Sequence, residues 1–290
     1  MTTLLKTYEY NPGTITYSVV VPIYNQENII VENVKSIIYN TLGTFELILI
    51  LDYCFDKTEE KLLAFFDTYI NNKHELVQVR VFKNSSLPLF ETKCDNIGFK
   101  HSSGTYCLEI QADMKMTEMG YNLHLTKPFH VLENVIAVSG RCAHNIYNGY
   151  GIGKLGADVE HTVDELNIDR NMFYVFDTCN RGPLLIHRGK LEELGYLDEV
   201  NYFLDDSDHD LMIRAYLSKG YICGYVPIDF DAPLHLGSTR NTNTYNNCNE
   251  YLVNKMELER LRNKFADKEG IQKYRDHWVN REPRCCKLLG

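Results

Sequence analysis

The chain has 290 residues, 44% of them hydrophobic, with a formal net charge of −9 and a pI of about 5.6. That length supports one large domain or two small ones, and the acidic balance argues against a general nucleic-acid binder, which needs a basic face. The opening MTTLLKTYEYNPG is too short and polar for a secretory signal, no apolar stretch approaches a membrane span, and nine scattered cysteines without a CxxC pair argue against zinc and fit reduced thiols in a cytosol-like compartment.

YSVVVPIYN (17–25) begins with a β-branched run, as a buried strand does. Next come Ile29, Ile30, Val34, Ile37 and Ile38 at helical spacing. FELILILD (45–52) reads as a second buried strand, and KTEEKLLAFFDTYI as a helix with Leu62, Phe65, Phe66 and Tyr69 on one side. ELVQVRVFK is a third strand, ETKCDNIGFKHSSG holds a short helix, and TYCLEIQA is a fourth strand. The run CLEIQADMKM reads as a buried strand ending on a lone acid, Asp113. Strand and helix alternate with short connections, which predicts a parallel sheet covered by helices on both faces. Such sheets bind ligands at the carboxyl ends of their strands, where Asn25, Asp52 and Asp113 are expected to cluster.

The second half is less regular. NVIAVSGR predicts a strand, and the Gly-rich, then acidic run 148–167 predicts a loop. GPLLIHRGKLEELGYLDE predicts a strand, a helix and a turn; DSDHDLMIRAYLSKG a capped helix ending at Gly220; and YICGYVP a strand. From about residue 249 the chain reads as helical, clearest in YLVNKMELERLRNKF. The Gly-rich run 148–163 and GSTRNTNTYNN (237–247) are equally ordinary surface loops or flaps that close over a ligand. The pair Cys285 and Cys286, beside Arg284 and Lys287, is either a lipid attachment point or two plain thiols.

Three places carry chemistry. Asp113 taken alone is a cap or turn residue; as a hard oxygen donor at a strand end it also suits a divalent cation that holds a diphosphate. FLDDSDHDLMIRA (203–215) packs four acids into six residues before a helix. Ser207 can cap that helix and Asp208 then lies in its first turn, near the positive dipole end, where a carboxylate can serve as general base. His235 follows a strand, near Asp231, and its imidazole can complete a metal site or simply sit in the structure.

Together these segments resemble the family 2 glycosyltransferases, which have the A-type nucleotide-sugar fold. SVVVPIYNQENIIVENVKSI looks like the family's opening strand and helix, and ILILDYCFDKT like its second-strand segment. KCDNIGFKHSSGTYCLEIQADM is similar to the segment leading into the metal strand. GPLLIHRGKLEELGYLDE resembles the acceptor-side segment, and SDHDLMIRAYLSKGYICGYVP the acidic helix and its following strand. The resemblance covers roughly residues 17–238. It implies a catalytic domain over 1–240, with a nucleotide half near 17–115 and an acceptor half near 116–240, followed by a helical extension over 241–290. The implied fold class is α/β, a mostly parallel central sheet with helices on both faces.

The resemblance also implies roles. Asp52 would contact the nucleotide, with Pro22, Tyr24 and Asn25 in the same pocket and Asn96, Gln111, Ala112 and Arg181 beside it. Asp113 and His235 would hold Mn²⁺ or Mg²⁺, Asp208 would be the general base, and Arg214 matches an Arg later in that helix. The implied reaction is inverting transfer of a hexosyl or N-acetylhexosaminyl group from a nucleotide sugar, a UDP-sugar before a GDP-sugar, to a glycan or other hydroxyl acceptor. Homo-oligomers and a cytoplasmic site, or the cytosolic face of a membrane, go with it. Four positions depart from the pattern. Gln111 replaces the first acid of the metal motif, and Asp95 stands where an Arg is usual. Asp52 remains alone of a usual pair of acids, and Ser207 replaces a Glu before the base. Lys93, Lys115, Arg181 and Arg240 are candidates for the missing cation. The departures leave a non-catalytic nucleotide-sugar binding module as the second reading. A sugar nucleotidyltransferase ranks last, because PIYNQEN lacks the Gly-rich basic loop it needs.

Overall fold

The computed structural model describes residues 2–73, 75–144, 154–156, 168–202, 207–232 and 284–288. In chain order the first half runs β1 (Thr2–Glu9), β2 (Tyr17–Ile23), α1 (Ile30–Asn40), β3 (Phe45–Asp52), α2 (Thr58–Thr68), β4 (Leu76–Asn84), α3 (Phe90–His101), β5 (Tyr106–Glu109), β6 (Lys115–Met116) and α4 (Tyr121–Val131). The second half follows with β7 (Val135–Ser139), β8 (Cys142–His144), β9 (Leu155–Gly156), β10 (Met172–Phe176), β11 (Thr178–Cys179), β12 (Leu184–His187), α5 (Arg188–Glu193), α6 (Ser207–Lys219), β13 (Ile222–Tyr225), β14 (Phe230–Asp231) and β15 (Arg284–Lys287).

Ten of these strands make one sheet in the order β1-β4-β3-β2-β5-β12-β7-β13-β10-β15. The pairs β2/β3, β3/β4, β2/β5 and β7/β13 are parallel. Strands β1, β12 and β10 run against the rest, so the sheet is mostly parallel, as expected from strand-helix alternation. β2 and β3 read as unbroken apolar runs because both of their faces are covered. One apolar cluster holds Val19, Val21, Leu47, Leu49, Ile37 and Leu62. A second cluster holds Val20, Ile48, Ile50, Phe99 and Leu211. Successive residues of one strand therefore feed opposite cores. Gly98 lets α3 lie close on β2, since a Cβ there would stand 2.2 Å from Val20 Cγ1.

Two expectations need correction, and one strand was not anticipated. The strand carrying CLEIQADMKM stops at Glu109; Gln111–Met114 form a turn closed by Met114 N–H donating to Gln111 O at 3.0 Å, and Lys115–Met116 pair separately with β14. The polar opening segment is a strand, β1, lying antiparallel on β4 at the sheet edge with Leu4 and Leu5 exposed, so it lacks the apolar run that marks a buried strand. The described part of the C-terminal extension, Arg284–Lys287, is a strand paired with β10 rather than a helix. Backbone pairing at an open sheet edge decides that state, and the local helical pattern stands upstream, at 251–265. Leu288 aside, the rest of that extension lies outside the described residues, as do His235, the 237–247 loop and most of the Gly-rich run, of which Leu155–Gly156 pair with β8.

Candidate active site

The parallel strands end on one edge of the sheet, and four chain segments converge there. β5 ends at Glu109 and enters the Gln111–Asp113 turn, and β7 leads into Arg141. Residues Asn180–Pro183 enter β12 from this edge, and α6 begins at Ser207. α3 supplies a fifth element from the side. The turn is tied to α1, because Asn33 Nδ2 donates to Ala112 O at 2.8 Å.

At the centre lies the guanidinium of Arg181, buried to 5% exposure. Its Nη1 donates to Asp95 Oδ2 at 3.0 Å, its Nη2 stands 3.5 Å from Glu91 Oε2, and its Nε is 3.9 Å from Asp208 Oδ2. The peptide N–H of Arg181 donates to Asp208 Oδ2 at 3.0 Å, and that of His209 to Asp208 Oδ1 at 2.9 Å. Glu109 accepts from the N–H of Gly182 at 2.6 Å. Gln111 links two charges: its Nε2 donates to Glu91 Oε1 at 2.6 Å, and its Oε1 accepts from Arg141 Nη1 at 2.9 Å.

The electrostatics follow from this placement. Burial works against ionised Asp208, but the charges of His209 and Arg181 and the two peptide N–H bonds outweigh it and hold the carboxyl below its ordinary value. Asp95 and Glu109 go the other way; burial raises both, and the neighbouring acids add to it. Burial also disfavours the Arg181 cation, yet Glu91, Asp208, Asp95 and Glu109 more than compensate and keep it charged. Glu91, Asp95 and Glu109 each bring an oxygen within 4.8 Å of the other two. The guanidinium of Arg181 pairs with two of the three, so this trio already faces a cation of the protein's own.

The predicted residues divide into those gathered here and those placed elsewhere. Asp208, Arg181 and Gln111 meet, with Ala112 and Asp113 on the same turn. Asp113 is half-buried and presents a single carboxylate. It is a hard oxygen donor of the type that Mg²⁺ or Mn²⁺ takes, and it fits a cation whose other ligands are phosphates and water. Gln111, engaged by Glu91 and Arg141, supplies no second acid. Asp52 is buried at the end of β3, where it accepts from Asn84 Nδ2 at 2.8 Å and from the N–H groups of Leu89 and Phe90 at 2.9 Å each; it fastens the turn before α3. Burial raises its pKa despite those bonds. Asn96 is also enclosed, its side chain exchanging hydrogen bonds with both backbone groups of Leu197 at 2.9 and 3.0 Å. Pro22 lies next to the last residue of β2, near Tyr24, whose ring meets Phe55 edge-on at 6.1 Å, and Asn25 Oδ1 accepts from Phe55 N–H at 2.9 Å. This group forms the rim beside β3. Arg214 lies about two turns along α6, where its Nε pairs with Asp210 at 2.6 Å. Of the other candidate cations, Lys115 is exposed on β6 and Arg240 lies outside the described residues.

Glu91, Thr92, Glu109 and Arg141 were not legible as site residues. Glu109 had a signal, an acid inside the apolar strand YCLEI, but Glu46 inside FELILILD gives the same signal and sits at the opposite edge of the sheet. Gly182 is required twice over. Its φ is +65°, and a Cβ there would meet Gln111 Cγ at 2.8 Å and Met114 Sδ at 3.0 Å. Gly182→Ala is expected to lower stability by about 1–3 kcal/mol through left-handed strain and the clash with the Gln111 turn; a shift of the urea midpoint measures it.

The family model described as Glycosyl transferase family 2 matches residues 18–193. No curated protein matches the chain. Among solved structures, S. aureus TarS 1–349 superposes with a TM-score of 0.51 at 17% identity, covering 74% of this chain and 60% of that one. GalNAc-T7 with UDP, GalNAc and Mn²⁺ gives a TM-score of 0.55 at 17% identity over 75% of this chain and 43% of that one. A mannosyltransferase from Pyrobaculum calidifontis in complex with GDP-Man and Mn²⁺ gives 0.51 at 16% identity, over 73% and 54%. The chain thus spans about 60% of the length of the TarS structure, and at these identities the likeness is one of fold. A family match across more than half of the sequence, on the A-type fold that its sheet order and its ligand edge already display, makes this chain a member of glycosyl transferase family 2.

Proposed function

We propose that the protein transfers a sugar from a nucleoside diphosphate sugar to an acceptor hydroxyl, with inversion, and that Asp208 is the general base. The observation that carries this reading is the state of Asp208: a buried carboxylate at the start of a helix on the ligand edge, held ionised by two peptide N–H groups and by the charges of Arg181 and His209. An ionised carboxylate there can take the acceptor proton as the hydroxyl oxygen bonds to the anomeric carbon. The bond from that carbon to the diphosphate breaks, and the nucleoside diphosphate leaves with the electron pair. Asp113 would hold Mn²⁺ or Mg²⁺ against the phosphates, with His235 as the further ligand that the family resemblance implies. When bound, such a cation neutralises charge on the leaving diphosphate. Pro22, Tyr24 and Asn25 form the wall for the nucleotide, and Ala112 lines its inner side. Asp52 and Asn96 act there by fixing backbone.

GalNAc-T7 was solved with UDP and Mn²⁺, and the mannosyltransferase with GDP-Man and Mn²⁺; both carriers are therefore donor candidates, and the single-acid turn is compatible with either. Among the described residues no helix is long and apolar enough to cross a membrane. The test is a panel of UDP- and GDP-sugars with Mn²⁺, read as released nucleoside diphosphate. One donor should turn over, and EDTA should weaken nucleoside diphosphate binding by more than about tenfold. Absence of turnover across the panel, with binding intact by calorimetry, would instead support a binding module. That second reading is favoured by one observation, the Gln111 amide bridging Glu91 and Arg141 where the family has an acid.

A further inference from the structure

We propose that Arg181 is the positioning residue for the base: it locks the Asp208 carboxylate from the loop before β12, and is itself locked by the acids of α3. The inference rests on the reading of Asp208 as base. The peptide N–H of Arg181 fixes Oδ2 at 3.0 Å, and the guanidinium of the same residue returns to within 3.9 Å of that oxygen. The far side of the guanidinium is gripped by Asp95 at 3.0 Å and Glu91 at 3.5 Å, with Thr92 Oγ1 at 3.5 Å. Thr92 Oγ1 also donates to Ser207 Oγ at 3.0 Å, so α3 holds the first residue of α6 by a second route. One planar fork thereby connects the nucleotide half of the sheet to the helix that carries the base. A lysine, a compact point charge, cannot contact both sides at once.

The pattern accounts for one departure from the family. Asp95 replaces a usual Arg because in this chain the cation arrives from residue 181, and position 95 serves as its counter-ion. The titratable groups around Asp208 and its partner Arg181 are Asp95 and Glu91 from α3, Glu109 from β5, the Cys179 thiol from β11, which burial keeps neutral, and His209 on its own helix. Arg181 and His209 favour the carboxylate, and the acids oppose it. Removing the guanidinium therefore moves the Asp208 titration upward.

Arg181→Met alone leaves Asp95 and Glu91 facing one another, so the test is the pair Arg181→Met with Asp95→Asn, compared with Asp95→Asn alone. The Asp208 carboxyl is followed by carbon NMR across pH, its resonance identified by its loss in Asp208→Asn, and this readout needs no turnover. The double variant is expected to raise the Asp208 titration by about one pH unit over Asp95→Asn. With a donor that turns over, the acid limb of kcat/KM should move by the same amount, and kcat should drop tenfold or more while donor KM holds within about twofold. Arg181→Lys should keep the acid limb but lose kcat, because the charge remains and the fork does not. An Asp208 titration that coincides in the double variant and Asp95→Asn overturns the proposal. A shifted titration with no turnover in the parent protein overturns the base reading instead.

Discussion

Replacing Asp208 by Asn is expected to lower sugar transfer by about 10²–10⁴-fold, the usual contribution of a positioned base. Binding of nucleoside diphosphate with Mn²⁺ should remain, because the substitution keeps the volume of the side chain and leaves the Gln111–Asp113 turn untouched. The amide retains one oxygen for a peptide N–H, of Arg181 or of His209, but sets an NH₂ group against the other. Some stability is lost with that clash of donors, so activity is compared at a temperature where both proteins are folded by circular dichroism. A parallel run of donor hydrolysis separates the roles, since a variant that loses transfer and binding equally has lost its fold rather than its base. Full transfer by Asp208→Asn would remove Asp208 from the mechanism.

The second large effect concerns stability. Glu46 lies at the amino end of β3, away from the site, with no exposed side-chain surface. Its Oε1 accepts from Ser18 Oγ at 2.6 Å and from Ser103 through both N–H and Oγ at 2.8 and 2.7 Å; its Oε2 accepts from Gln78 Nε2 at 2.8 Å and Arg80 Nη2 at 2.5 Å. This one carboxylate fastens β2, β4 and the turn after α3. Glu46→Gln presents an amide NH₂ to one set of donors and removes the partner of Arg80, at an expected loss of about 2–4 kcal/mol by urea unfolding at pH 7. Burial raises the Glu46 pKa, and the Ser103 and Ser18 hydrogen bonds with the Arg80 charge outweigh it, so the folded value is lowered. A group with a lowered folded pKa stabilises above its unfolded value and loses that contribution as pH falls through the folded one. The difference between parent and Glu46→Gln should accordingly be full at pH 7 and shrink below about pH 4, just under the usual glutamate value. A pH-independent difference would show that Glu46 contributes through packing alone.

The two buried acids, Glu46 and Glu109, mark where reading the chain ends. Alternating apolar strands and amphipathic helices are properties of neighbouring residues, so they determined the α/β class, the order of elements from β2 to β5, and the placement of Asp208 in the first turn of a helix. The family motifs, read in sequence, carried the base and the metal turn as candidates. What the sequence could not carry is which charges meet across long separations. Arg181 is 86 positions from Asp95 and 27 from Asp208. Only the return of β12 between β5 and β7 brings that arginine to the edge where β5 ends. Other long-range contacts made Asp52 and Asn96 fasteners of backbone and set Arg284–Lys287 on the edge of β10, and the chain bends after Glu109 where a strand was expected. Local pattern thus determined the elements and the helix that bears Asp208. The tertiary structure decided the charge environment of that carboxylate, because burial and a facing guanidinium are properties of elements packed together and not of either segment alone.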